Sequence, residues 1–146
     1  MMKDSYSDSY YDIAIPAAVY AADNTPGAVD LQGYAAAEIS LAIGVGGITF
    51  DATNKIEFVL THSDDDATYT NVADADMLGV SGISNGIIKS LVAAHAAATV
   101  SRFGYIGNKR YLKLLANFSG THGTGTPISA LVEKEYGHDN PQVAQP

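Results

Sequence analysis

The stretch THSDDDATYTNVADAD, residues 61–76, holds five aspartates, three of them consecutive at Asp64, Asp65 and Asp66. Carboxylates at that density suit a calcium loop, a catalytic acid pair or a turn. A calcium loop of the EF-hand kind wants acids at alternate positions, a glycine sixth and a glutamate twelfth. Counted from Asp64, the sixth residue is Tyr69 and the twelfth is Ala75, and no flanking helices are signalled. Aspartate also caps turns through its own side chain, and this run stands between two β-patterned stretches. The expectation is a hairpin turn. A structural calcium near Asp64, Asp66 and Asp74 (or Asp76) is the alternative, and no other cofactor is expected.

The remaining chemistry-bearing residues form no machinery. His62, His95, His122 and His138 show no i,i+4 pair, and there is no cysteine to complete a zinc site. His62, beside the acidic run, is expected to hydrogen-bond a carboxylate. Ser63, Ser90, Ser101 and Ser119 lack a Gly-x-Ser-x-Gly elbow. Gly44, Gly46 and Gly47 precede no Lys-Ser/Thr, so they suit a bulge or turn rather than a phosphate loop. Glu38 and Glu57 fall on outward strand faces, away from any pocket that would raise a carboxyl pKa. No nucleophile, base and oxyanion donor assemble, and a non-enzyme is expected.

Composition narrows the class further. A chain of 146 residues forms one domain and buries roughly 68% of its unfolded surface. It is 47% hydrophobic and only 16% charged, so its surface is sparsely charged and suited to being covered. The net charge is −8, with eight Lys and Arg scattered from Lys3 to Lys134. Nucleic acid needs clustered cations, and an acidic bilayer would repel the chain, so neither is an expected partner. The start, MMKDSYSDSYYD, has no apolar core of a signal peptide, and no run of about 18 apolar residues spans a membrane. Two groups remain as contacts. Tyr6, Tyr10 and Tyr11 could dock on a neighbour, since tyrosine gives large contact area at small entropic cost. Lys109 and Arg110, in GNKRYLK with Lys113, are the one basic concentration: a solvated strand end, or a contact for an acidic partner surface.

These residues must be positioned by strands. YDIAIPAAVY reads as extended chain in which Pro16 marks an edge or a bulge. AEISLAIG alternates Ile39, Leu41 and Ile43 inward, and KIEFVLTHS does the same with Ile56, Phe58 and Leu60. TYTNVAD starts a short strand and GVSGISNG is a glycine-punctuated connection. IIKSLVAAHAAATV predicts a strand, a loop with a short helical turn, then a strand from Thr99 to Ile106, with a helix over 88–98 as the alternative. VSRFGYIGNKRYLKLLANFSG predicts a hairpin turning at Gly107-Asn108 with positive φ. ISALVEKE closes the fold with Ile128, Ala130 and Val132 on one side. Seven or eight short strands predict a mainly β domain, an antiparallel β-sandwich or small β-barrel (jelly-roll-like). Residues 1–11 are expected to be a flexible N-terminal arm, 12–136 the domain and 137–146 a C-terminal tail.

Five segments in this order, DLQGY, KIEFVLTHSDD, YTNVADADMLG, GYIGNKRYLKLL and GTPISALV, resemble a family of small virion structural proteins of tailed bacteriophages and prophages. They cover roughly residues 28 to 132. The resemblance implies a capsid decoration (cement) protein on the outer head surface, or another head- or tail-associated part, and brings no catalytic residues. It implies the major capsid protein as partner, the outer capsid surface as location and assembly in the bacterial host cytoplasm. A homo-oligomer, a trimer, is expected because shells offer three-fold docking points. The family's SDDG turn is SDDD here, so a position often filled by glycine is Asp66. The competing reading is a tail- or fibre-associated carbohydrate- or receptor-binding β-sandwich, with sugars stacking on Tyr69, Tyr105 or Tyr111.

Overall fold

The computed structural model describes residues 4–146. Ten strands form two antiparallel sheets: β1 (Tyr10–Tyr20), β2 (Val29–Asp30), β3 (Tyr34–Ile43), β4 (Lys55–Ser63), β5 (Thr70–Asn71), β6 (Met77–Leu78), β7 (Ile87–Leu91), β8 (Thr99–Tyr105), β9 (Tyr111–Ser119) and β10 (Thr126–Gly137). The first sheet runs β1-β10-β3-β8-β6. The second runs β2-β9-β4-β5, with β7 also on β4. The sheets stack face to face and do not close into a barrel, so the architecture is a β-sandwich.

Alternation builds the core. Ile39, Leu41 and Ile43 of β3 and Ile128, Ala130 and Val132 of β10 turn inward from the first sheet. Ile56, Phe58 and Leu60 of β4 and Leu112, Leu114 and Ala116 of β9 meet them from the second. Each large side chain so buried contributes about 1.5–3 kcal/mol.

β1 is an edge strand with register shifts after Ile13 and after Ile15, the second beside Pro16. The bulge flips the side-chain phase. Ile13 faces outward at 62% exposure, whereas Ala14 and Ile15 are both buried. The strand begins at Tyr10, two residues before the expected boundary, because Tyr10 and Tyr11 pair with Lys134 and Glu133. Among the described residues, the segment from Tyr6 to Tyr11 also lies against Gln142 and Gln145. The Gln145 side chain accepts from the Tyr11 N–H at 2.9 Å and donates to the Tyr11 carbonyl at 2.8 Å, satisfying β1's free edge as a further strand would. Asn24 serves β9 in the same way, accepting from Ala116 N–H at 2.7 Å and donating to the Leu114 carbonyl at 3.2 Å.

Two local expectations fail. Gly107-Asn108 is not a hairpin turn: β8 pairs with β3 and β9 with β4, so the connection crosses between sheets. Apolar alternation looks the same for a hairpin and for such an arch. Positive φ is absent at both residues. Glycine stands at 107 because an added Cβ would lie 2.5 Å from the Tyr105 hydroxyl. Residues 92–98 contain neither the short helical turn nor the helix. The His95 carbonyl there accepts the Gly46 N–H at 2.9 Å, and a tertiary bond of this kind outweighs alanine's propensity in so short a segment.

A Cβ at Gly47 would lie 2.0 Å from the Gly125 carbonyl oxygen, whereas Gly27 has nothing within 4 Å. Gly47→Ala is therefore expected to cost about 1–3 kcal/mol in urea unfolding and Gly27→Ala almost nothing. Equal effects would mean that the close approach of the two loops is wrong.

Candidate functional site

The acidic run is the β4–β5 turn. One Asp65 carboxylate oxygen accepts from Ser63 Oγ at 2.8 Å, Ala67 N–H at 2.9 Å and Thr68 N–H at 2.8 Å. The Thr68 and Ala67 N–H groups, then the Ser63 hydroxyl, hold its pKa down at about 2. Asp66 takes the left-handed conformation (φ 57) expected of a glycine there, which aspartate tolerates. Its carboxylate accepts the Tyr69 hydroxyl. Asp64 pairs with Lys109 at 2.6 Å, while Asp74 accepts from Gly82 and Ile83 N–H groups at 2.9 and 2.7 Å. Each aspartate serves a different partner. Among the described residues no three His, Cys, Asp or Glu side chains gather as a metal would need.

His62 does not meet a carboxylate. It is 7% exposed, and its Nδ1 lies 2.9 Å from the Tyr105 hydroxyl, which accepts the Lys109 N–H at 3.2 Å. His62 Nδ1 and the Tyr105 hydroxyl share a hydrogen bond, so one chain of bonds ties β4 through β8 to the 106–110 crossover. Burial holds the imidazole pKa below its usual value; Lys109 adds to this, while Asp76 and Asp64 oppose it. His122 is also buried. Its Nε2 lies 2.8 Å from the Ser119 carbonyl, its ring packs edge-on to Phe118, and its Nδ1 has no partner.

The residues singled out as contacts converge on one end of the sandwich. Tyr10 lies over the ammonium of Lys134 at 5.0 Å. Lys134 follows Val132 in the core-facing row of β10, is 7% exposed, and was legible only as the next inward position of that alternation. Its Nζ meets Asp12 at 2.7 Å, the Asp30 carbonyl at 3.2 Å and the face of Tyr34 at 4.7 Å. Arg110 grips the Asp30 carboxylate with two bonds of 2.8 Å, which with the Gln32 N–H holds that carboxyl at about 2. A network thus runs Tyr10–Lys134–Asp30–Arg110, and on to the Tyr111 ring 4.8 Å from the guanidinium. Sequence reasoning missed Lys134, Asp12 and Asp30, whose positions 134, 12 and 30 meet only in the folded chain.

A notch of about 560 Å³ opens beside this network. Ala35 and Ala36 of β3, Ile106, Lys109, Arg110 and His138 are among the residues lining it. Tyr6 (60% exposed) and Tyr136 (62%) belong to the terminal segments at the same end. Lys109 and Arg110 are not a free positive patch, because each is paired with an acid of its own chain. The tyrosines of the sugar-stacking reading do not form a platform either. Tyr105 is buried, Tyr69 lies under Lys113 at 4.2 Å, and Tyr111 lies under Arg110.

No family model matches the chain, and no curated protein or solved structure matches it.

Two outcomes are expected at this end. Lys134→Ala strands Asp12 and the Asp30 carbonyl and should cost about 2 kcal/mol in urea unfolding, discounted because Asp12 is 37% exposed. Lys109→Ala, whose partner is 65% exposed, should change little. For pH, the stability from neutral His62 is full above its unfolded pKa of about 6.5 and is lost as pH falls through the lowered folded value. The stability from Asp30 and Asp65 is full above about 3.9 and is lost towards the folded value of about 2. Between pH 7.5 and 5 (about the range set by that histidine pKa), Tm of the wild type should fall more than that of His62→Gln. Parallel curves would remove the histidine from the linkage.

Proposed function

We propose that this chain is a non-enzymatic structural protein of a tailed-bacteriophage virion, a decoration protein that binds the outer surface of the head and stabilises the shell. The observation that carries the reading is where the reactive side chains go. Asp65 and Asp74 cap turns, Asp30 and Lys134 tie strands, and His62 and Tyr105 brace a crossover. The chain is left to act through its surfaces. The ordered resemblance from DLQGY to GTPISALV gives that surface binding a setting, and the sparse charge and acidic balance fit a coat outside a DNA-filled shell.

The end that carries Tyr6, Tyr136 and the notch beside Lys109 and Arg110 is the contact we assign to the major capsid protein. It joins the described terminal segments around Tyr6 and Gln145, exposed aromatic area and polar groups already held in position, so docking there orders little that is not ordered already. Bound copies stabilise the shell by mass action. No nucleic acid, membrane or cofactor enters this reading.

Quantitative mass spectrometry of purified virions tests it by counting this chain against the major capsid protein. A ratio near one, or a simple fraction of it, is the expected result. A handful of copies would move the chain to the tail or a vertex, and absence would overturn the reading in favour of glycan-binding assays. Tyr6→Ala combined with Lys109→Ala should lower occupancy with Tm unchanged; Arg110 is left intact because its loss would release Asp30.

A further inference from the structure

The pairing register lays out the outer face of the first sheet row by row. Tyr11, Glu133, Glu38 and Gly104 form one row across β1, β10, β3 and β8. The next is Ile13, Leu131, Ser40 and Arg102, followed by Ser129, Ala42 and Val100, and then Val19 and Pro127. Exposure follows these rows: Ile13 62%, Val19 61%, Val100 75% and Leu131 39%. Among the described residues, none of the large apolar side chains that stand exposed lies on a strand of the second sheet. An apolar groove of about 560 Å³ is cut into this face, with Val19 on one side, Val100 on the other and Ala42 and Ser129 on its floor.

We infer that this outer face is the interface of a two-fold homodimer, in which the Ile13–Leu131 ridge of each copy seats in the groove of the other. Three features favour a second copy over a foreign partner. The ridge and the groove lie in adjacent rows of one face, so the surface is complementary to itself, as an isologous contact requires. The face also carries both signs of charge. Arg102, 78% exposed, reaches Glu38 only at 3.4 Å, while Glu133 and Glu135 share the acidic end and, among the described residues, pair with no cation. Burial, and then the neighbouring Glu133 and Glu38, hold the Glu135 carboxyl above its usual pKa, as in an unrelieved acidic row. Arg102 of a second copy supplies the missing cation.

The third feature is size. Four strands about 4.8 Å apart are about 19 Å wide, and ten residues of β3 extend about 33 Å, giving roughly 600 Å² in plan. Accessible area exceeds plan area, so the face approaches the roughly 800 Å² per partner of a standard interface. This inference is independent of the virion reading, because it concerns the isolated chain and a different surface.

Sedimentation equilibrium of the purified full chain, from low micromolar to submillimolar concentration, tests it. Val100→Glu and Ile13→Glu, made separately, each place a carboxylate in the contact, and Val143→Glu places one on the exposed tail as a control. The wild type and the control should be dimeric at the upper concentrations. Each face variant should dissociate about tenfold or more readily, with circular dichroism unchanged because both positions are exposed in the single chain, and with Tm matching the wild type only at concentrations where both are monomeric. A wild type that stays monomeric, a trimer, or a dimer that survives both face substitutions would overturn the proposal.

Discussion

A lysine in a core-facing row has to be satisfied where it stands. Lys134 continues the inward series Ile128, Ala130 and Val132, so its stem lies between the sheets and its ammonium emerges at the end of the sandwich. Desolvated charge is costly unless paired and hydrogen-bonded. Here the pairing draws on β1 through Asp12, on the β2 backbone at Asp30 and on the rings of Tyr10 and Tyr34. The start of β1, the short β2 strand and the start of β3 are thereby held to one point, and Asp30 in turn holds Arg110 and the crossover from β8.

The carboxylates follow the same logic at lower stakes. Turns expose backbone N–H groups that no ladder takes, and Asp51, Asp65 and Asp74 each accept two of them. Carboxylates held down by N–H donors are poor proton acceptors near neutral pH. The feature that makes the sequence look reactive is therefore the one that makes its loops rigid. The outer face of the first sheet and the end that joins Tyr6, Tyr136 and the notch are the two surfaces on which the proposed contacts rest.

Much of the fold was legible in the chain. The inward faces of β3, β4 and β10 followed from alternation, an edge or a bulge in β1 from Pro16, and the acidic turn from the capping habit of aspartate, whereas the shift between Ile13 and Ile15 had no such signal. The crossover at 106–110 was not, because apolar periodicity reports which residues are inside and not which sheet they enter from. The alanine-rich segment 92–98 misled because propensity is weak against a tertiary hydrogen bond. Of the site, Tyr10, Lys109 and Arg110 stood out by residue type, but Lys134 and Asp30 did not, and Asp64 stood out as a turn or calcium residue rather than as the partner of Lys109.

What the sequence determined by itself was local: strand class, inward faces, turn chemistry and the absence of any familiar catalytic spacing. These depend on side-chain period and on bonds spanning a few residues, which a linear chain displays. Only the tertiary structure decided which strands share a sheet, which charges meet and which apolar residues are left in water. Ile13 and Ile15 make the point, for they read as equivalent positions of one strand. A bulge sets Ile15 in the core and Ile13 on the outer face beside Leu131, because register against β10, and not the residue type, assigns each side chain its face.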